Sequence, residues 1–414
     1  MAAVVPYRMK TERIGRGWHE MGPIRPPNEG RDCSLLLRVT RNCPWNRCTF
    51  CRTYKGERYS RRSAEEITGD LEVVKALADE IRAASWRLGL AGDVGREVVA
   101  ALINGNPELY GRRCGDAELA QRRIQSLVNV ANWLASGGRT VFLQDADALQ
   151  APTKDLRRVL AGLRESFPGV VRVTSYSRAK TVARKSPEEL RSLREAGLVR
   201  LHIGLESGCD EVLAQVRKGV TAEELILAGR KAREAGMDVS LYVMPGLGGR
   251  RLSERHALET ARVLNAIGPD FIRLRTLVPY PGTPLYEQVE AGEFEPLSED
   301  EVVAEIGLLI EHLDCRSYLT SDHMFNLLWE VEGRLPEDRP ALLKTIAEYL
   351  GLPPHERLRV QLERRLSSYL AVAGGLPDGV AAAVREAAAA VEDRAPDAPR
   401  KVERALGALK QAFG

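Results

Sequence analysis

The feature that most constrains the fold is the alternation of short β-rich runs with helical patterns through the middle of the chain. Six runs have the composition of strands, at 34–39, 140–144, 170–175, 199–204, 239–244 and 271–278. Strands that alternate with helices favour βα units and a parallel sheet. The sequence therefore predicts an α/β fold, namely a partial (β/α)6 barrel of the TIM type.

The sequence between these strands contains residues that are typical of helix starts and helix ends. Ser186 with Glu189 and Thr221 with Glu224 each form a capping-box pattern, which predicts that a helix begins there. Gly197 stands where a helix needs a residue with positive φ to end. We therefore expect helices to begin and end directly between the predicted strands.

The regular alternation of strands and helices is interrupted after the first predicted strand and again after the last. A helical insertion is predicted at about 62–137, because apolar residues recur there at helical spacing. Past residue 292 the strand signals stop and helical patterns continue, so a C-terminal helical extension is expected. The predicted organisation is an N-terminal extension at 1–33, a barrel at 34–292 and a C-terminal helical region at 293–414.

Composition narrows the class of protein. The 414 residues include 60 basic and 57 acidic side chains, so the net charge of +3 gives no strong nucleic-acid signal. We find no signal peptide and no apolar run long enough to cross a bilayer, and we expect no membrane association and a cytoplasmic location. Seven cysteines in such a chain argue against a disulfide framework.

Three of the cysteines, Cys43, Cys48 and Cys51, fall within nine residues directly after the first predicted strand. Thiolates are soft ligands that suit iron–sulfur clusters and zinc. A structural zinc site needs four protein ligands, whereas a 4Fe-4S cluster with three cysteines keeps one iron open. The residues favour a cluster, and Cys33 is the candidate fourth ligand of the zinc alternative.

The segment LLLRVTRNCPWNRCTFCRTYKG resembles the cysteine motif of the radical S-adenosylmethionine (SAM) superfamily. The usual spacing in that family is C-x3-C-x2-C, and this chain has one more residue between Cys43 and Cys48. The resemblance implies one 4Fe-4S cluster and SAM as cofactors, with Cys43, Cys48 and Cys51 as the metal ligands. It also implies that Phe50 packs on the adenine; the alternative is an ordinary core aromatic.

Polar residues follow the next predicted strands, and the ends of barrel strands build the active site. The segment QDAD, with Asp145 and Asp147, resembles the family motif that binds the methionyl amino group; a helix cap or turn is the alternative. Ser177 and Arg178 are candidates for the methionyl carboxylate, since guanidinium groups pair well with carboxylates. A solvated surface arginine is the other interpretation of Arg178.

The remaining strand ends extend the resemblance to about residues 34–290. LHIGLESG, with Glu206 and Ser207, resembles the ribose-binding strand of radical enzymes related to coproporphyrinogen oxidase and the methylthiotransferases. VMPGLGG and LVPYPGTPL follow in the family order, and their glycines permit close approach of a ligand. Asp322 and His323, beyond the barrel, are weak candidates for catalytic residues; a local cap or surface contact is the alternative.

The resemblance implies an enzyme that cleaves SAM reductively to give a 5'-deoxyadenosyl radical, which acts on an unknown substrate. It also implies a reducing electron donor such as flavodoxin or ferredoxin. A non-catalytic zinc or iron–sulfur protein that uses its cysteines structurally is one alternative. An RNA- or protein-modifying radical enzyme is the other.

Overall fold

The computed structural model describes residues 6–27 and 32–412. Parts of the predicted N-terminal extension, at 1–5 and 28–31, lie outside the described residues, as do 413–414. The described residues form the strands β1 (Leu35–Arg38), β2 (Thr40–Arg41), β3 (Ser60–Arg61), β4 (Thr140–Gln144), β5 (Arg172–Ser177), β6 (Leu198–Glu206), β7 (Asp238–Val243), β8 (Phe271–Leu274), β9 (Ser317–Thr320) and β10 (Gly333–Leu335).

The helices alternate with these strands and dominate the last hundred residues. They are α1 (Thr11–Ile14), α2 (Ala64–Arg87), α3 (Arg96–Gly105), α4 (Pro107–Tyr110), α5 (Ala117–Ala135), α6 (Thr153–Ser166), α7 (Ala179–Arg184), α8 (Pro187–Ala196), α9 (Asp210–Gln215), α10 (Ala222–Glu234), α11 (Gly249–Ile267), α12 (Pro284–Glu290), α13 (Glu299–Glu311), α14 (Arg339–Leu350), α15 (Pro354–Ala373), α16 (Asp378–Glu392) and α17 (Ala398–Ala412). Within the described part of the chain, no helix has the length and apolarity required to cross a membrane.

Eight strands form one mostly parallel sheet in the order β1-β4-β5-β6-β7-β8-β9-β10. The pairs β1/β4, β4/β5, β7/β8 and β8/β9 are parallel, and β9/β10 is antiparallel. Strands β2 and β3 form a separate antiparallel pair. The strand order does not close on itself among the described residues, so the predicted α/β fold with a partial, TIM-like barrel is confirmed.

All six predicted strands are present, as β1 and β4 to β8, but four further strands, β2, β3, β9 and β10, were not predicted. β9 and β10 lie in the region expected to be only helical. β10 has three residues, of which the central one, Arg334, is exposed, so it has no apolar run to detect. Such short strands are specified by their neighbours in the sheet, which a local pattern does not contain.

The chain divides into two compact units. The first contains residues 1–44, 56–202 and 231–238, with β1, β4 and β5 at its centre. All five residues of β4 are buried, as expected for a parallel strand covered on both faces. The predicted insertion is the helical segment from α2 to α5, and the capping box of α8 and the positive φ of Gly197 are confirmed.

The second unit contains residues 45–55, 203–230 and 239–414. β7, β8, β9 and β10 pair within it, and α13 packs against both α11 and α14. α15, α16 and α17 share an apolar cluster of their own, which includes Leu362, Tyr369 and Leu406. The predicted boundary at residue 292 stays a prediction.

Candidate functional site

The part of the cysteine segment that carries Cys48 and Cys51 is fixed through its backbone within the second unit. The Thr49 amide donates to the Val216 carbonyl over 3.0 Å, and the Leu285 amide donates to the Thr49 carbonyl over 3.1 Å. Thr49 lies directly after Cys48 and two residues before Cys51, and its side chain is buried. These two bonds hold the backbone between the two cysteines in a defined place.

Trp45 is a second anchor of the same segment. Its indole N–H donates to the Arg217 carbonyl over 2.8 Å. Gly219 has a φ of +71°, and a Cβ at this position would lie 2.3 Å from the Trp45 ring. Glycine is required here both by the backbone conformation and by the close approach of the indole.

Cys43 lies in the first unit, directly after Asn42, whose φ is +65°. The Asn42 amide side chain donates to the Arg58 carbonyl over 2.7 Å and accepts from Arg38 over 3.2 Å. Cys43, Cys48 and Cys51 are partly exposed cysteines. Three accessible thiols in nine residues are a donor set that suits an iron–sulfur cluster, although no three His, Cys, Asp or Glu side chains of the described residues are arranged to hold a metal ion.

Cys33 lies before β1, whereas Cys43 follows it. The Cys33 amide donates to the Ser136 hydroxyl over 3.0 Å, which places it at the end of α5. The four residues of β1 alone span about 13 Å at roughly 3.3 Å per residue. This position argues against Cys33 as the fourth ligand that the zinc alternative requires.

Phe50 is partly buried and packs against an apolar cluster of the second unit. The cluster contains Cys209, Val212, Val216, Leu247, Leu252, Leu277, Leu285 and Phe294, with Met244 and Val289 packed beside it. Phe50 also lines a cavity of about 310 Å³ together with Cys51. Both interpretations of Phe50 therefore stay open, since it contributes to the core and to the wall of a cavity.

His323 lines this cavity as well, and Asp322 does not. The Asp322 carboxylate pairs instead with Arg273 over 3.3 Å. Burial, with Arg275 and Arg365 nearby, lowers the pKa of His323 to about 3, so its imidazole is neutral near pH 7. Of the two candidate catalytic residues, the structure brings only His323 to a cavity.

Asp145, at the end of β4, is fully buried in the first unit. One of its carboxylate oxygens accepts from both Nε and Nη2 of Arg38, over 2.9 and 2.8 Å. Arg38 also pairs with Glu20 over 3.2 Å. This paired carboxylate avoids the cost of an isolated buried charge.

Asp147 connects the ends of two neighbouring strands. Its carboxylate accepts from the Ser177 hydroxyl over 2.7 Å, the Thr181 hydroxyl over 2.6 Å and the Arg178 amide over 3.3 Å. Burial raises the pKa of Asp147. The structure thus brings three of the predicted residues, Asp147, Ser177 and Arg178, together; their predicted contacts with SAM stay predictions.

Glu206 ends β6 in the second unit with a φ of +64°. Its carboxylate forms an ion pair with Lys218 over 2.8 Å, and both side chains are largely buried. The Lys218 ammonium also lies 5.9 Å from the centroid of the Phe50 ring. The predicted ribose ligand is therefore a paired carboxylate next to the cysteine segment.

Ser207 is fully buried and bonded to His256 of α11 over 2.8 Å. The other imidazole nitrogen of His256 lies 3.2 Å from the Met244 carbonyl, in the loop after β7. Burial lowers the pKa of His256, so the neutral ring donates to Met244 and accepts from the Ser207 hydroxyl. Ser207 is thereby linked to the VMPGLGG loop through the imidazole of His256.

The same loop is fixed by a buried carboxylate from α13. Glu305 accepts from the Gly246 amide over 2.7 Å and from the Ser253 hydroxyl over 2.5 Å. The Gly208 amide donates to the Thr260 hydroxyl over 2.8 Å, so the β6 end is bonded to α11 as well. The strand ends of the second unit thus form one buried hydrogen-bond network.

A buried ion cluster connects the C-terminal helices to the segment that carries His323. Glu299 of α13 pairs with Arg365 of α15 over 2.5 Å and with Lys410 of α17 over 2.6 Å. Arg365 also donates to the Met324 carbonyl over 3.1 Å. These cations lower the pKa of Glu299 to about 2, despite its burial.

Sequence reasoning missed several residues of this region. His256, Glu305 and Lys218 make their contacts over 12 to 59 positions in sequence, so no local pattern reveals them. Arg52 and Arg275 line the cavity, and the signals for them were present. Arg52 directly follows the last cysteine of the triad, and Arg275 directly follows β8.

Residues 116–261 match the family model described as the Radical SAM superfamily. The matched region contains β4 to β7 and begins after the cysteine triad. Over these residues the chain is similar to the Radical SAM superfamily.

Among known proteins, the chain is 28% identical over 119 residues to the tRNA uridine(34) acetyltransferase of Methanocaldococcus infernus, covering 28% of this chain and 22% of that protein. It is 32% identical over 146 residues to the biotin synthase of Maridesulfovibrio salexigens, covering 35% and 42%. Among solved structures, Elp3 of M. infernus aligns with a TM-score of 0.38 and 18% identity, covering 52% of this chain and 55% of that one. The chain thus spans less than half of the length of the two relatives.

Proposed function

We propose that this chain is a radical SAM enzyme that holds one 4Fe-4S cluster on Cys43, Cys48 and Cys51. The observation that carries the proposal is a triad of partly exposed cysteines within nine residues, in a chain whose following segment matches the Radical SAM superfamily. The anchoring of Thr49 and Trp45 supports it, because the backbone bonds of Thr49 and the indole bond of Trp45 fix the segment that carries Cys48 and Cys51. Three ligands leave one iron open for SAM.

When bound, the cluster and SAM supply an electron and a sulfonium whose reductive cleavage gives the 5'-deoxyadenosyl radical. The chain's own residues bind and orient SAM and the substrate, and they exclude water from the site. Phe50 offers an apolar surface beside Cys51, and Glu206 offers a carboxylate near it for hydroxyl groups. Ser207 is proposed as a positioning residue, because it acts on the loop after β7 through His256.

The same proposal assigns roles to four residues of the first unit. Asp145 and Asp147 are proposed at the methionyl amino group, and Ser177 and Arg178 at the methionyl carboxylate. Asp147 already accepts four hydrogen bonds, one of them from the Gln150 side chain over 3.4 Å, so the four lone-pair positions of its carboxylate are used. Asp147 therefore acts mainly by holding Ser177 and the Arg178 backbone in place.

The test is anaerobic reconstitution of the full chain with iron and sulfide, followed by dithionite and SAM. We expect about four irons per chain, the absorbance of a 4Fe-4S cluster, and 5'-deoxyadenosine as a product. Serine replacement of Cys43, Cys48 or Cys51 is expected to abolish both the cluster and the product, because serine is a poor ligand for iron–sulfur clusters.

Cys33→Ser and Cys114→Ser are the matched controls, since both cysteines are partly exposed and lie outside the triad. They should retain iron content and product formation. Loss of the metal in Cys33→Ser, or a tightly bound zinc with four protein ligands, would contradict the proposal and support the non-catalytic alternative.

A second candidate is an RNA-modifying radical enzyme, which the similarity to a tRNA uridine(34) acetyltransferase favours. It predicts that total tRNA binds the reconstituted protein and increases 5'-deoxyadenosine formation. Stimulation that disappears after ribonuclease treatment supports this candidate. Equal product with and without tRNA argues against it.

The proposal includes a reducing partner and a location. Reductive cleavage of SAM requires an electron, so a flavodoxin or ferredoxin is the proposed donor, and the proposed compartment is the cytoplasm. Replacement of dithionite by reduced flavodoxin should support 5'-deoxyadenosine formation if the donor is of this class.

A further inference from the structure

The surface of the cysteine segment carries three positively charged side chains within the second unit. Arg47 lies directly before Cys48, and Lys55 lies four residues after Cys51. Arg217, in the turn that follows α9, is the third. Both arginines are exposed and the lysine is partly exposed. We call these three residues the cation patch.

Trp45 connects the two arginines of the cation patch. The guanidinium carbon of Arg47 lies 5.2 Å from the centroid of the Trp45 ring. The indole N–H of the same ring donates to the Arg217 carbonyl over 2.8 Å. The Lys55 ammonium donates to the carbonyl of Asn46, the residue after Trp45, over 3.1 Å. The three cations are therefore attached to one turn of the chain.

The charges of the cation patch are not neutralised within the described part of the chain. No acidic side chain there forms an ion pair with Arg47, Lys55 or Arg217. Two carboxylates that precede Arg217 in sequence have other partners: Glu206 pairs with a lysine, and Glu211 of α9 pairs with two arginines of α11. The patch thus gives this surface a positive potential, which attracts a partner of negative charge.

The position and the size of the cation patch favour an electron-transfer protein over a nucleic acid. Arg47 adjoins Cys48 in the chain, so a protein that docks on the patch lies beside two of the three cysteines. Complexes of electron-transfer proteins are transient and bury less than about 1,200 Å², which a small charged surface can supply. Nucleic-acid binders that contact on the order of 6–10 phosphates need more cations than this patch contains.

We infer that Arg47, Lys55 and Arg217 form the docking surface for a small acidic electron-transfer protein of the flavodoxin type. That the docked protein delivers an electron rests on the proposed function, whereas the docking surface rests on the charges alone. In the electron-transfer step the flavin hydroquinone of the donor gives one electron to the metal centre and becomes the semiquinone. Exposed charges of this kind act mainly on the association rate, so binding should weaken as salt is added.

The test is calorimetric titration of the reconstituted full chain with an acidic flavodoxin in its oxidised form, without SAM or reductant. We expect the wild type to bind, and its affinity to fall by at least about tenfold between about 50 and about 300 mM sodium chloride. A double variant with Arg47→Glu and Arg217→Glu should bind at least about tenfold more weakly at the lower salt concentration, because attraction becomes repulsion. Arg47→Gln, Lys55→Gln and Arg217→Gln should each have a smaller effect.

A double variant with Arg359→Glu and Arg400→Glu is the matched control. Both residues are exposed arginines, of α15 and α17, so the control changes the net charge by the same amount. It should bind flavodoxin as the wild type does. Circular dichroism and iron content establish that each variant is folded and reconstituted, and the glutamine variants keep the test valid if the double glutamate variant does not fold. With dithionite, a small reductant, every variant should form 5'-deoxyadenosine as the wild type does.

Three results would overturn the inference: flavodoxin binding that is absent or independent of salt, equal affinity of the wild type and the double glutamate variant, or equal weakening in the matched control. Total tRNA that binds the wild type but not the double glutamate variant, while flavodoxin binding is unchanged, would assign the patch to RNA. Product assays with dithionite separate the two proposals. Formation of 5'-deoxyadenosine without charge-dependent flavodoxin binding refutes only the docking surface, whereas charge-dependent binding without 5'-deoxyadenosine refutes only the radical chemistry.

Discussion

Replacement of Glu299 by glutamine tests how the C-terminal helices are attached. The pKa of this buried carboxyl falls from its ordinary value of 4.5 to about 2 because Lys410 and Arg365 surround it. A difference of about 2.5 pH units at roughly 1.4 kcal/mol each corresponds to about 3 kcal/mol of stabilisation. Glu299→Gln leaves two buried cations without their shared carboxylate, so we expect the free energy of unfolding to fall by about 3 kcal/mol.

The pH dependence of this stabilisation has a defined sign. The folded-state pKa lies below that of the unfolded chain, so the stabilisation is complete above about pH 4.5 and is lost as the pH falls towards 2. In urea titrations at pH 7, Glu299→Gln should therefore show its full deficit. Below pH 3 the wild type and the variant should converge.

The assay combines urea unfolding, followed by circular dichroism, with amide hydrogen exchange. Because Arg365 also donates to the Met324 carbonyl, exchange should accelerate in the residues around Met324 as well as in α17. Glu386→Gln is the matched control, since Glu386 forms more exposed ion pairs with Arg404 and Lys401 of α17, the helix that also carries Lys410. The free energy of unfolding should fall by less than about 1 kcal/mol in this variant. A deficit no larger than that of the control would refute the reasoning.

Two further predictions concern single positions. Gly219→Ala should destabilise the chain and reduce iron incorporation, because its Cβ would overlap the Trp45 ring. Gly292→Ala is the control, since Gly292 has a φ of +72° and open space around it, so this variant should show only the backbone strain. Equal iron content in the two variants would contradict the prediction. His323 has a pKa of about 3 when folded, so protons bind the unfolded chain first and stability falls as the pH drops below 6.5. When urea unfolding is measured at pH 6.5 and at pH 5, His323→Gln should remove roughly 2 kcal/mol of that loss in the free energy of unfolding. An undiminished loss would argue against the buried neutral imidazole.

The sequence was sufficient wherever a structure depends on neighbours in the chain. The capping box at Ser186 and Glu189 and the left-handed Gly197 are local features, and the structure confirms them. The six strands of the βα pattern were also found, because buried parallel strands have continuous apolar runs. Local information therefore predicted the fold class and the order of its elements.

The sequence was insufficient wherever a side chain depends on a distant partner. Asp147 was predicted as a cofactor ligand, and its bonds to Thr181 and Ser177 lie 34 and 30 positions away. The pairing of Glu299 with Lys410 joins residues more than a hundred positions apart. Such contacts exist only after folding, so a sequence pattern indicates a charged residue but not the partner that neutralises it.

The loop after β7 is fixed by hydrogen bonds to His256 and Glu305 of the same chain. A ligand that contacts this loop loses little affinity to ordering of the backbone, so its association should follow a single kinetic phase. Rapid-mixing traces would then show one exponential whose rate rises in proportion to ligand concentration. Selectivity at this loop would come from the shape of a rigid receptor, which accepts or refuses a molecule without adapting to it.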